Sequence, residues 1–299
     1  MQLNLHLLRM FMGVVEHQGF SRAAVALHVT QSAMSKAVRE LEHQLGLPLL
    51  ERAGHDGRSA RGVRLTEGGQ ALYQHARGIF AMERAAVDEV RSRVELRSGR
   101  LRIGASTTVA GYWLPAVMSR FSQAFPHLEL ELQVANTEEI GEAIVGYRID
   151  VAFVEGHVDA PGISSVPWRD ENLLLVAATD SPLARRRKPD RDALASQTWL
   201  VREQGSGTRQ VTEHLLRSHG IQPRRRVEIG SNEAIARTVA AGMGIAVLPE
   251  VVVADLLGAR RLHSVAIGQG GMSRPLFRLE LANRPRSPAL QALLSLLRE

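Results

Sequence analysis

Apolar residues at helical spacing open the chain. They recur every three or four positions from Leu5 to Val15, and Gly19 then interrupts the pattern, which predicts an amphipathic helix. Two shorter helical segments follow, up to Gly46. The first contains the small pair Ala23–Ala24, and small residues allow two helices to approach closely at a steep angle. The pattern therefore predicts a helix-turn-helix.

Capping residues and a short hairpin are expected around the second of these helices. Ser21 is expected to cap the first helix and Thr30 the second, because hydroxyl side chains are favoured at N-caps. After Gly46, the apolar runs 47–50 and 63–65 flank a tip rich in Gly, Arg and Asp, which predicts a β-hairpin, or wing. Thr66 then begins a helical pattern that continues to about Glu95. This helix is either a packed linker or a dimerisation helix, and the apolar stripe with some positions seven apart favours dimerisation.

Strands alternate with helices from Gly99 onward. The predicted strands are 101–105, 128–134, 149–156, 173–177, 199–202, 227–229 and 245–248, and the predicted helices are 107–121, 138–145, 208–219 and 233–241. This alternation is typical of α/β architecture with parallel sheets. The 299 residues are enough for two or three domains.

Composition narrows the class of protein. The apolar fraction of 44% describes a globular chain with a full core, and the formal charge of +6 favours a polyanionic partner, although such an excess is also a common solubility feature. The absence of cysteine excludes disulfides, thiolate nucleophiles and Cys-based zinc sites, and fits a cytoplasmic protein. The first residues contain no basic leader, and no stretch approaches ~18 apolar residues, so neither a secretory signal nor a membrane span is expected.

One face of the predicted helix that follows Thr30 carries small hydroxyls, an amide and cations. Such a helix is expected to lie in the DNA major groove, where Gln31 can bond adenine and the serines can bond bases or phosphates. Lys36 and Arg39 are expected to grip phosphates. The residues expected to contact DNA are Arg22, Thr30, Gln31, Ser32, Ser35, Lys36 and Arg39 on the helices and Arg52, Arg58, Arg61 and Arg64 on the wing. The alternative is that the serines are ordinary exposed residues and the arginines are only solvated.

Stretches along the whole chain resemble the LysR-type transcriptional regulators. They are FSRAAVALHVTQSAMSKAVRELEHQLGLPLLER, VRLTEGGQAL, IGASTTVAGYWLP followed by FPHLELEL, and SNEAIARTVAAGMGIAVLP. The resemblance implies an α/β protein with an α-rich N-terminal part. It places a winged helix-turn-helix at 1–65, a linker helix at 66–97, and a two-lobed effector module like a periplasmic binding protein at 98–299. Subdomain I is expected at about 98–167 and 266–299, and subdomain II at about 168–265.

Two strand-to-helix turns rich in hydroxyls, 104–108 and 205–209, are candidates for effector binding. Ligands sit beyond the carboxyl ends of strands in open α/β sheets, and the N–H groups at helix N-termini favour anions. The alternative is that Ser106 and Ser206 only cap helices. With the family's effector site between the subdomains, the implied contacts are Ser106, Thr107, Thr108, Asn136, Thr137, Glu155, Gly156, Arg202, Gly205, Ser206, Gly207 and Thr208. Glu155 is awkward for an anion, and is expected to orient Arg202 or Arg209 or to select a protonated or cationic group.

The stretch REQGSGTR resembles the branch of the family that regulates sulfur assimilation or carbon fixation. That branch implies a small inorganic anion or a phosphorylated metabolite as effector, with a neutral or cationic effector or a non-sensing DNA-architectural protein as alternatives. The resemblance implies a cytoplasmic protein that binds double-stranded DNA as a homodimer or homotetramer and contacts RNA polymerase, with no cofactor and no membrane partner. No G-x-S-x-G elbow or phosphate-loop motif occurs, and the histidines are scattered, so neither an enzyme nor a metal site is expected.

Overall fold

The computed structural model describes residues 3–51, 63–92, 99–156, 158, 160–186, 189–267 and 271–297. The chain divides into two compact units, Met1–Arg84 and Ala85–Glu299.

The described part of the N-terminal unit contains the helices α1 (Leu5–Glu16), α2 (Phe20–Ala26) and α3 (Gln31–Leu45) and the first part of α4 (Glu67–Ser92). Helix α4 continues into the second unit. The helix-turn-helix prediction is confirmed. Leu8, Phe11, Met34 and Leu41 are fully buried between α1, α2 and α3, as the helical spacing of apolar residues requires. Gly46 ends α3 with a φ of 72°, in the left-handed region that favours glycine.

The two predicted caps have different outcomes. Thr30 caps α3 as predicted, since its Oγ1 accepts a hydrogen bond from the Ala33 N–H at 3.2 Å. The Ser21 prediction is wrong, because α2 begins one residue earlier, at Phe20, with Gly19 at the N-cap. Phe20 packs against the apolar core, and this packing draws the start of the helix forward. Ser21 instead donates a hydrogen bond to Gln31 Oε1 at 3.3 Å.

The base of the predicted wing is formed by an antiparallel bridge between Leu50 and Leu65. The Glu51 N–H donates to the Arg64 carbonyl at 2.9 Å, which continues the pairing. Thr66 then starts α4 as predicted: its Oγ1 accepts from the Gly69 N–H at 3.0 Å and donates to the Pro48 carbonyl at 2.7 Å. The tip of the wing, 52–62, lies outside the described residues.

The C-terminal unit is a mixed α/β structure. Its described strands are β1 (Gly99–Ser106), β2 (Leu128–Ala135), β3 (Val151–Glu155), β4 (Ile163–Ala178), β5 (Thr198–Val201), β6 (Arg225–Glu228), β7 (Ile245–Pro249), β8 (Leu262–Ser264) and β9 (Met272–Leu281). Its helices are α5 (Leu114–Ala124), α6 (Thr137–Val145), α7 (Arg191–Ala195), α8 (Gly207–Ser218), α9 (Asn232–Ala240), α10 (Glu250–Gly258) and α11 (Pro288–Leu296), and a π-helical turn, Val109–Trp113, precedes α5.

The strands form one sheet in the order β2-β1-β3-β9-β4-β7-β5-β6, and β8 pairs with β4. The pairs β1–β2, β1–β3, β5–β6 and β5–β7 are parallel, as the alternation of strands and helices predicts. Strands β4 and β9 depart from the predicted parallel pairing, since they pair antiparallel with each other and with β3, β7 and β8. The long β4–β9 pair connects the two halves of the sheet and shifts register between Pro167 and Arg169.

Parallel pairing places the carboxyl ends of β1 and β2 at one edge of their half of the sheet, and those of β5 and β6 at one edge of the other half. Separate apolar cores cover the two halves of the sheet, one around Phe121 and Phe153 and another around Trp199 and Leu216. The polar residues at the strand ends are therefore supported by these two apolar cores. This arrangement positions the site described next.

Candidate functional site

The exposed face of α3 presents the polar residues singled out from the sequence. Gln31, Ser32, Lys36 and Arg39 are exposed and Ser35 is half-buried, whereas Met34 and Val38 are buried on the opposite face. A shallow concavity on this face is lined by Ser32, Ser35, Lys36, Arg39, Glu40 and His43. The amphipathic division leaves hydroxyl, amide and cationic groups free to face a partner.

Hydrogen bonds hold several of these side chains in place. Arg39 Nη2 donates to Ser35 Oγ at 2.8 Å, and the hydroxyls of Thr30 and Ser32 lie 3.0 Å apart. Arg22, at the start of α2, donates to the Gln18 carbonyl. Arg64 is exposed at the base of the wing. The other three predicted wing residues, Arg52, Arg58 and Arg61, lie outside the described part of the chain.

A second cluster of polar residues lies where the two halves of the sheet meet. The turn after β1 supplies Ser106, Thr107 and Thr108, and Thr107 Oγ1 accepts from Arg202 Nη1 at 3.2 Å. Thr108 Oγ1 accepts from Asn232 Nδ2 at 2.9 Å. These bonds join β1 of one half to β5 and α9 of the other. We call the polar side chains that meet here the junction cluster: Ser106, Thr107, Thr108, Glu155, Glu171, Arg202, Thr208, Asn232 and Arg274.

Two polar atoms of the junction cluster are buried without a partner. Ser106 is 2% exposed and Asn232 is 0% exposed. Ser106 Oγ and Asn232 Oδ1 make no hydrogen bond to any described residue. Buried polar atoms nearly always have a partner in folded proteins, so these two orphans mark a place where a ligand or water would bond.

The second hydroxyl-rich turn leads into α8. Ser206 occupies the N-cap position, but within the described ranges its side chain makes no hydrogen bond to the helix. Thr208 Oγ1 accepts from Asn232 Nδ2 at 3.3 Å and from Arg274 Nη1 at 3.2 Å. Both Ser206 and Thr208 are buried.

Glycines in this turn permit close approach between the halves. Gly205 has a φ of +84°, and a Cβ there would lie 2.6 Å from Glu138 Oε2. A Cβ on Gly207 would lie 2.7 Å from the carbonyl oxygen of Glu155. The Glu138 N–H donates to the Gly205 carbonyl at 3.2 Å, which ties α6 to the turn. A side chain at Gly207 would meet backbone and push the two halves apart, and one at Gly205 would be strained by its positive φ.

Glu155 pairs with an arginine that the sequence interpretation did not include. Its Oε1 lies 3.4 Å from Arg274 Nη2, and its Oε2 accepts from Thr137 Oγ1 at 3.3 Å. Arg274 Nη2 also bonds Glu171 Oε2 at 2.5 Å. The expectation that Glu155 orients Arg202 or Arg209 is therefore wrong. Long β9 carries Arg274 into the junction cluster, and no local pattern in the sequence reveals that path.

Arg202 and Arg209 bond other partners. Arg202 forms a two-pronged pair with Glu203, with both N–O distances 2.8 Å, and Arg209 pairs with Glu228. Burial by itself raises the pKa of Glu203, but hydrogen bonds from Arg202 and from its own backbone and the charges of Arg202 and Arg209 outweigh burial and bring the pKa below its ordinary value. Glu203 therefore remains ionised beside Arg202.

The remaining predicted residues lie at the edge of the junction cluster. Asn136 caps α6, since its Oδ1 accepts from the Glu139 N–H at 2.9 Å. Gly156, with a φ of +80°, follows β3, and a Cβ there would lie 3.0 Å from Gln210 Oε1. Thr137 bonds Glu155 as described above. Asn136 and Gly156 thus shape the backbone around the cluster, whereas Ser106, Thr107, Thr108, Glu155, Arg202 and Thr208 supply its side chains.

Three members of the cluster were missed from the sequence: Asn232, Arg274 and Glu171. Asn232 follows the capping residue Ser231 and lies between the predicted strand 227–229 and the predicted helix 233–241, so its position at a third strand-to-helix turn was a usable signal. Glu171 accepts from Trp113 Nε1 at 2.9 Å and pairs with Arg274 across two antiparallel strands. Only the β4–β9 pairing brings those two residues together.

In the ranges that the structure describes, no helix is both long and apolar enough to cross a membrane. Nor do the described residues contain a group of three metal-ligating side chains that could hold a metal ion.

Family models and relatives agree on the class of protein. Residues 5–70 match the bacterial regulatory helix-turn-helix protein family of LysR type, and residues 95–299 match the LysR substrate binding domain. YeiE of Escherichia coli K12, an uncharacterized HTH-type transcriptional regulator, is 35% identical over 98% of this chain and 97% of its own. CysL of Bacillus subtilis is 30% identical over 90% and 88%, and CbbR of Rhodospirillum rubrum 33% identical over 99% and 96%.

Solved structures of the same architecture also match. Full-length OxyR of Pseudomonas aeruginosa superposes with a TM-score of 0.76 at 22% identity, over 100% of this chain and 95% of that one, which shows the shared fold. The regulatory domain of CcmR from Synechocystis, solved in complex with 2-PG, superposes with a TM-score of 0.62 at 32% identity, over 67% of this chain and 96% of that one. With both of its family models matched in order along the chain, this protein belongs to the LysR family of DNA-binding transcriptional regulators.

Proposed function

We propose that this regulator binds a small anion or a phosphorylated metabolite at the junction cluster, and that the bound effector controls how the winged helices engage DNA. The proposal rests on two buried atoms, Ser106 Oγ and Asn232 Oδ1, which have no partner among the described residues and lie one on each side of the junction. A buried polar atom without a hydrogen-bond partner destabilises the folded protein by about 1–3 kcal/mol, and a ligand that bonds the atom removes this cost.

The start of α8 supports an anionic effector. The N-terminal N–H groups of a helix have no partners within the helix, and anions are favoured there. Asn136 and Ser231 cap α6 and α9 with their own side chains, whereas the Ser206 side chain, among the described contacts, leaves α8 uncapped. This difference argues against the alternative that Ser206 is only a cap.

The buried carboxylates argue against a cationic effector. Glu155 and Glu171 already face the Arg274 guanidinium, at 3.4 and 2.5 Å. A cationic ligand would have to displace Arg274 or lie beside its charge. An anion or a neutral ligand meets hydroxyl groups at the same place without breaking that pair.

The effector would act by shifting a population between two arrangements of the effector modules. A ligand that closes the junction around the turns 106–108 and 206–208 favours one arrangement, and this changes the spacing or angle of the paired winged helices. A ligand with equal affinity for both arrangements would shift nothing. A DNA-architectural protein with no sensing role would have no use for these orphaned buried atoms.

The DNA contact is proposed for the exposed face of α3. Gln31 and Ser32 lie at its N-terminal end, which enters the major groove first in helix-turn-helix proteins. Lys36 and Arg39 follow one and two turns later and suit phosphate contacts. The wing arginines Arg52, Arg58, Arg61 and Arg64 would add phosphate contacts beside them.

Self-association through α4 is proposed from its exposed apolar residues. Met82, Val87 and Val90 are 44%, 42% and 68% exposed along this helix. A second copy of α4 would cover them and would pair two DNA-binding heads. We also propose that the protein forms tetramers, contacts RNA polymerase and is located in the cytoplasm.

The test is thermal melting of the purified protein against sulfite, sulfate, phosphate, phosphorylated sugars, phosphoenolpyruvate, 2-PG and uncharged controls. A ligand at about 100 times its dissociation constant that binds only the folded state adds about 2.7 kcal/mol to the free energy of unfolding. We expect one anion to raise the melting temperature. We expect Ser106→Ala to abolish that rise, since the variant removes an orphaned hydroxyl from the junction.

Ser218→Ala is the matched control, because this serine lies at the other end of α8 and its hydroxyl bonds the Leu215 carbonyl and the adjacent His219 ring. Its response to the anion should equal that of the wild-type protein. A response to uncharged or cationic compounds alone, or an anion response equal in Ser106→Ala, contradicts the proposal.

A further inference from the structure

We propose that the effector carries a proton of its own, and that Asn232 recognises this proton. The inference rests on the proposed function and narrows it, from anions in general to oxyanions that keep a proton near neutral pH. Such anions include hydrogenphosphate and hydrogensulfite. Sulfate and selenate, which are tetrahedral but carry no proton, belong to the excluded class.

Asn232 sets the directions of the hydroxyl protons around it. The inference includes the orientation of its amide, in which Nδ2 faces the two threonines and donates to Thr108 Oγ1 at 2.9 Å and to Thr208 Oγ1 at 3.3 Å. Thr208 Oγ1 also accepts from Arg274 Nη1 at 3.2 Å, and an arginine side chain can only donate. Both threonine oxygens are thus used as acceptors, so each hydroxyl proton remains to be donated to another atom. Together with the Ser106 hydroxyl, these protons suit the oxygens of an anion.

The remaining atom of the Asn232 amide has the opposite requirement. Oδ1 is buried, has no partner among the described residues, and as a carbonyl oxygen can only accept. An anion whose oxygens all lack protons would turn lone pairs toward this oxygen and leave it unsatisfied. An anion with one O–H group satisfies it. The site therefore combines hydroxyl donors with one carbonyl acceptor.

The charges in and beside the cluster leave the choice between anions to hydrogen bonding. Glu155 and Glu171 share Arg274, and Glu203 pairs with Arg202. These five described groups comprise three carboxylates and two guanidiniums, and hydrogenphosphate and sulfate carry the same charge. Neutral hydroxyls and helix N–H groups remain as donors to the oxygens of the anion.

The expected preference follows from the cost of leaving Oδ1 unpaired. That cost is about 1–3 kcal/mol, which corresponds to roughly 10- to 100-fold in affinity. Sites that bond a specific polar group reject analogues without it more strongly than apolar pockets reject a missing methylene. Sulfate and phosphate have similar size and shape, so the difference between their affinities measures the contribution of the proton.

The experiment is calorimetric titration of the full-length wild-type protein, at neutral pH, with phosphate and sulfite as probes that carry protons and with sulfate and selenate as probes that do not. We expect phosphate or sulfite to bind at least 10-fold more tightly than sulfate and selenate. Equal or tighter binding of sulfate or selenate overturns the inference. Absence of binding by all four anions overturns it as well.

The variant Asn232→Leu tests the assigned residue, and Asn172→Leu is its control, because Asn172 is exposed and bonds Glu250 on the surface. We expect the ratio of affinities between proton-bearing and proton-free anions to fall to within about threefold in Asn232→Leu and to stay unchanged in Asn172→Leu. An unchanged ratio in Asn232→Leu would show that Asn232 does not recognise the proton. If Asn232→Leu does not fold, the wild-type ratio alone decides the inference.

These outcomes separate the inference from the proposed function. Anion binding that Ser106→Ala abolishes, but that shows no preference for proton-bearing anions, keeps the effector site at the junction and overturns the role of the proton. A response to neutral or cationic compounds alone overturns the proposed function itself.

Discussion

At the residue scale, the junction cluster depends on one arginine between two buried carboxylates. Arg274 is 5% exposed and contacts Glu171, Glu155 and Thr208. Arg suits this position because its planar guanidinium presents several donors in a fixed geometry. The pair is weak evidence for net stability, but removal of one partner leaves charges buried without compensation.

The variant Arg274→Met is expected to lower the free energy of unfolding by about 3–5 kcal/mol, because Glu171 and Glu155 would remain buried without their counter-charge. The measurement is urea unfolding of the wild-type and variant proteins. Arg191→Met is the control: Arg191 pairs with Asp192 in an exposed position and is expected to change the free energy by less than about 0.5 kcal/mol. Equal effects of the two variants would show that Arg274 does not neutralise the carboxylates.

At the scale of elements, α4 starts against the strand segment that leads into the wing. Gly68 and Gly69 occupy its first turn, and the two positions meet different neighbours. A Cβ on Gly69 would lie 2.0 Å from the backbone oxygen of Leu49, whereas a Cβ on Gly68 would meet only the side-chain tip of Leu47, at 2.5 Å. Backbone cannot yield as a flexible side chain can, so the close approach of the two elements requires glycine at 69.

Gly69→Ala is therefore expected to lower the free energy of unfolding of the protein by at least about 2 kcal/mol, since the backbone around Leu49 must move. Gly68→Ala should be neutral or stabilising by up to about 1 kcal/mol, because the Leu47 side chain can rotate away and alanine favours the helix. Denaturant unfolding followed by circular dichroism measures both. A stable Gly69→Ala variant would show that the helix and the wing base do not meet as closely as described.

At the scale of the whole molecule, regulation requires that a change at the junction reach the DNA-binding heads. The dimer proposed from the exposed apolar residues on α4 would place two α3 helices on one DNA duplex. Different residues of the same helix should then be responsible for base recognition and for phosphate contact. Gln31 and Lys36 offer this comparison on the face of α3 described above.

Gln31→Ala is expected to leave folding intact and to reduce the discrimination between operator and scrambled DNA by about 1–3 kcal/mol, because the amide can bond a base edge. Lys36→Ala should weaken binding to both DNAs equally and reduce the salt dependence by about one phosphate contact. Footprinting of the wild-type protein should show paired half-sites one or two helical turns apart. Unchanged discrimination in Gln31→Ala would exclude this residue from base recognition, and a single short footprint would contradict paired heads.

Local features of the amino-acid sequence determined the helix-turn-helix, the Thr30 cap, the wing base and the strand-to-helix turns, because periodicity and capping depend on residues only a few positions apart. They also determined which hydroxyls lie at those turns, including Ser106 and Thr208. The Ser21 cap failed for a reason outside its own segment, since Phe20 packs on a core formed by other helices.

Tertiary structure alone decided which charges and amides complete the site. Asn232 bonds Thr108 across 124 residues, and Arg274 bonds Glu171 across 103 residues through the antiparallel β4–β9 pair. No local pattern encodes such contacts, because they follow from the order of strands in the sheet and from the meeting of its two halves. The sequence thus determined the family and the hydroxyl turns, whereas long-range packing decided that Glu155 faces Arg274 and that the Asn232 carbonyl oxygen is buried with no partner among the described residues.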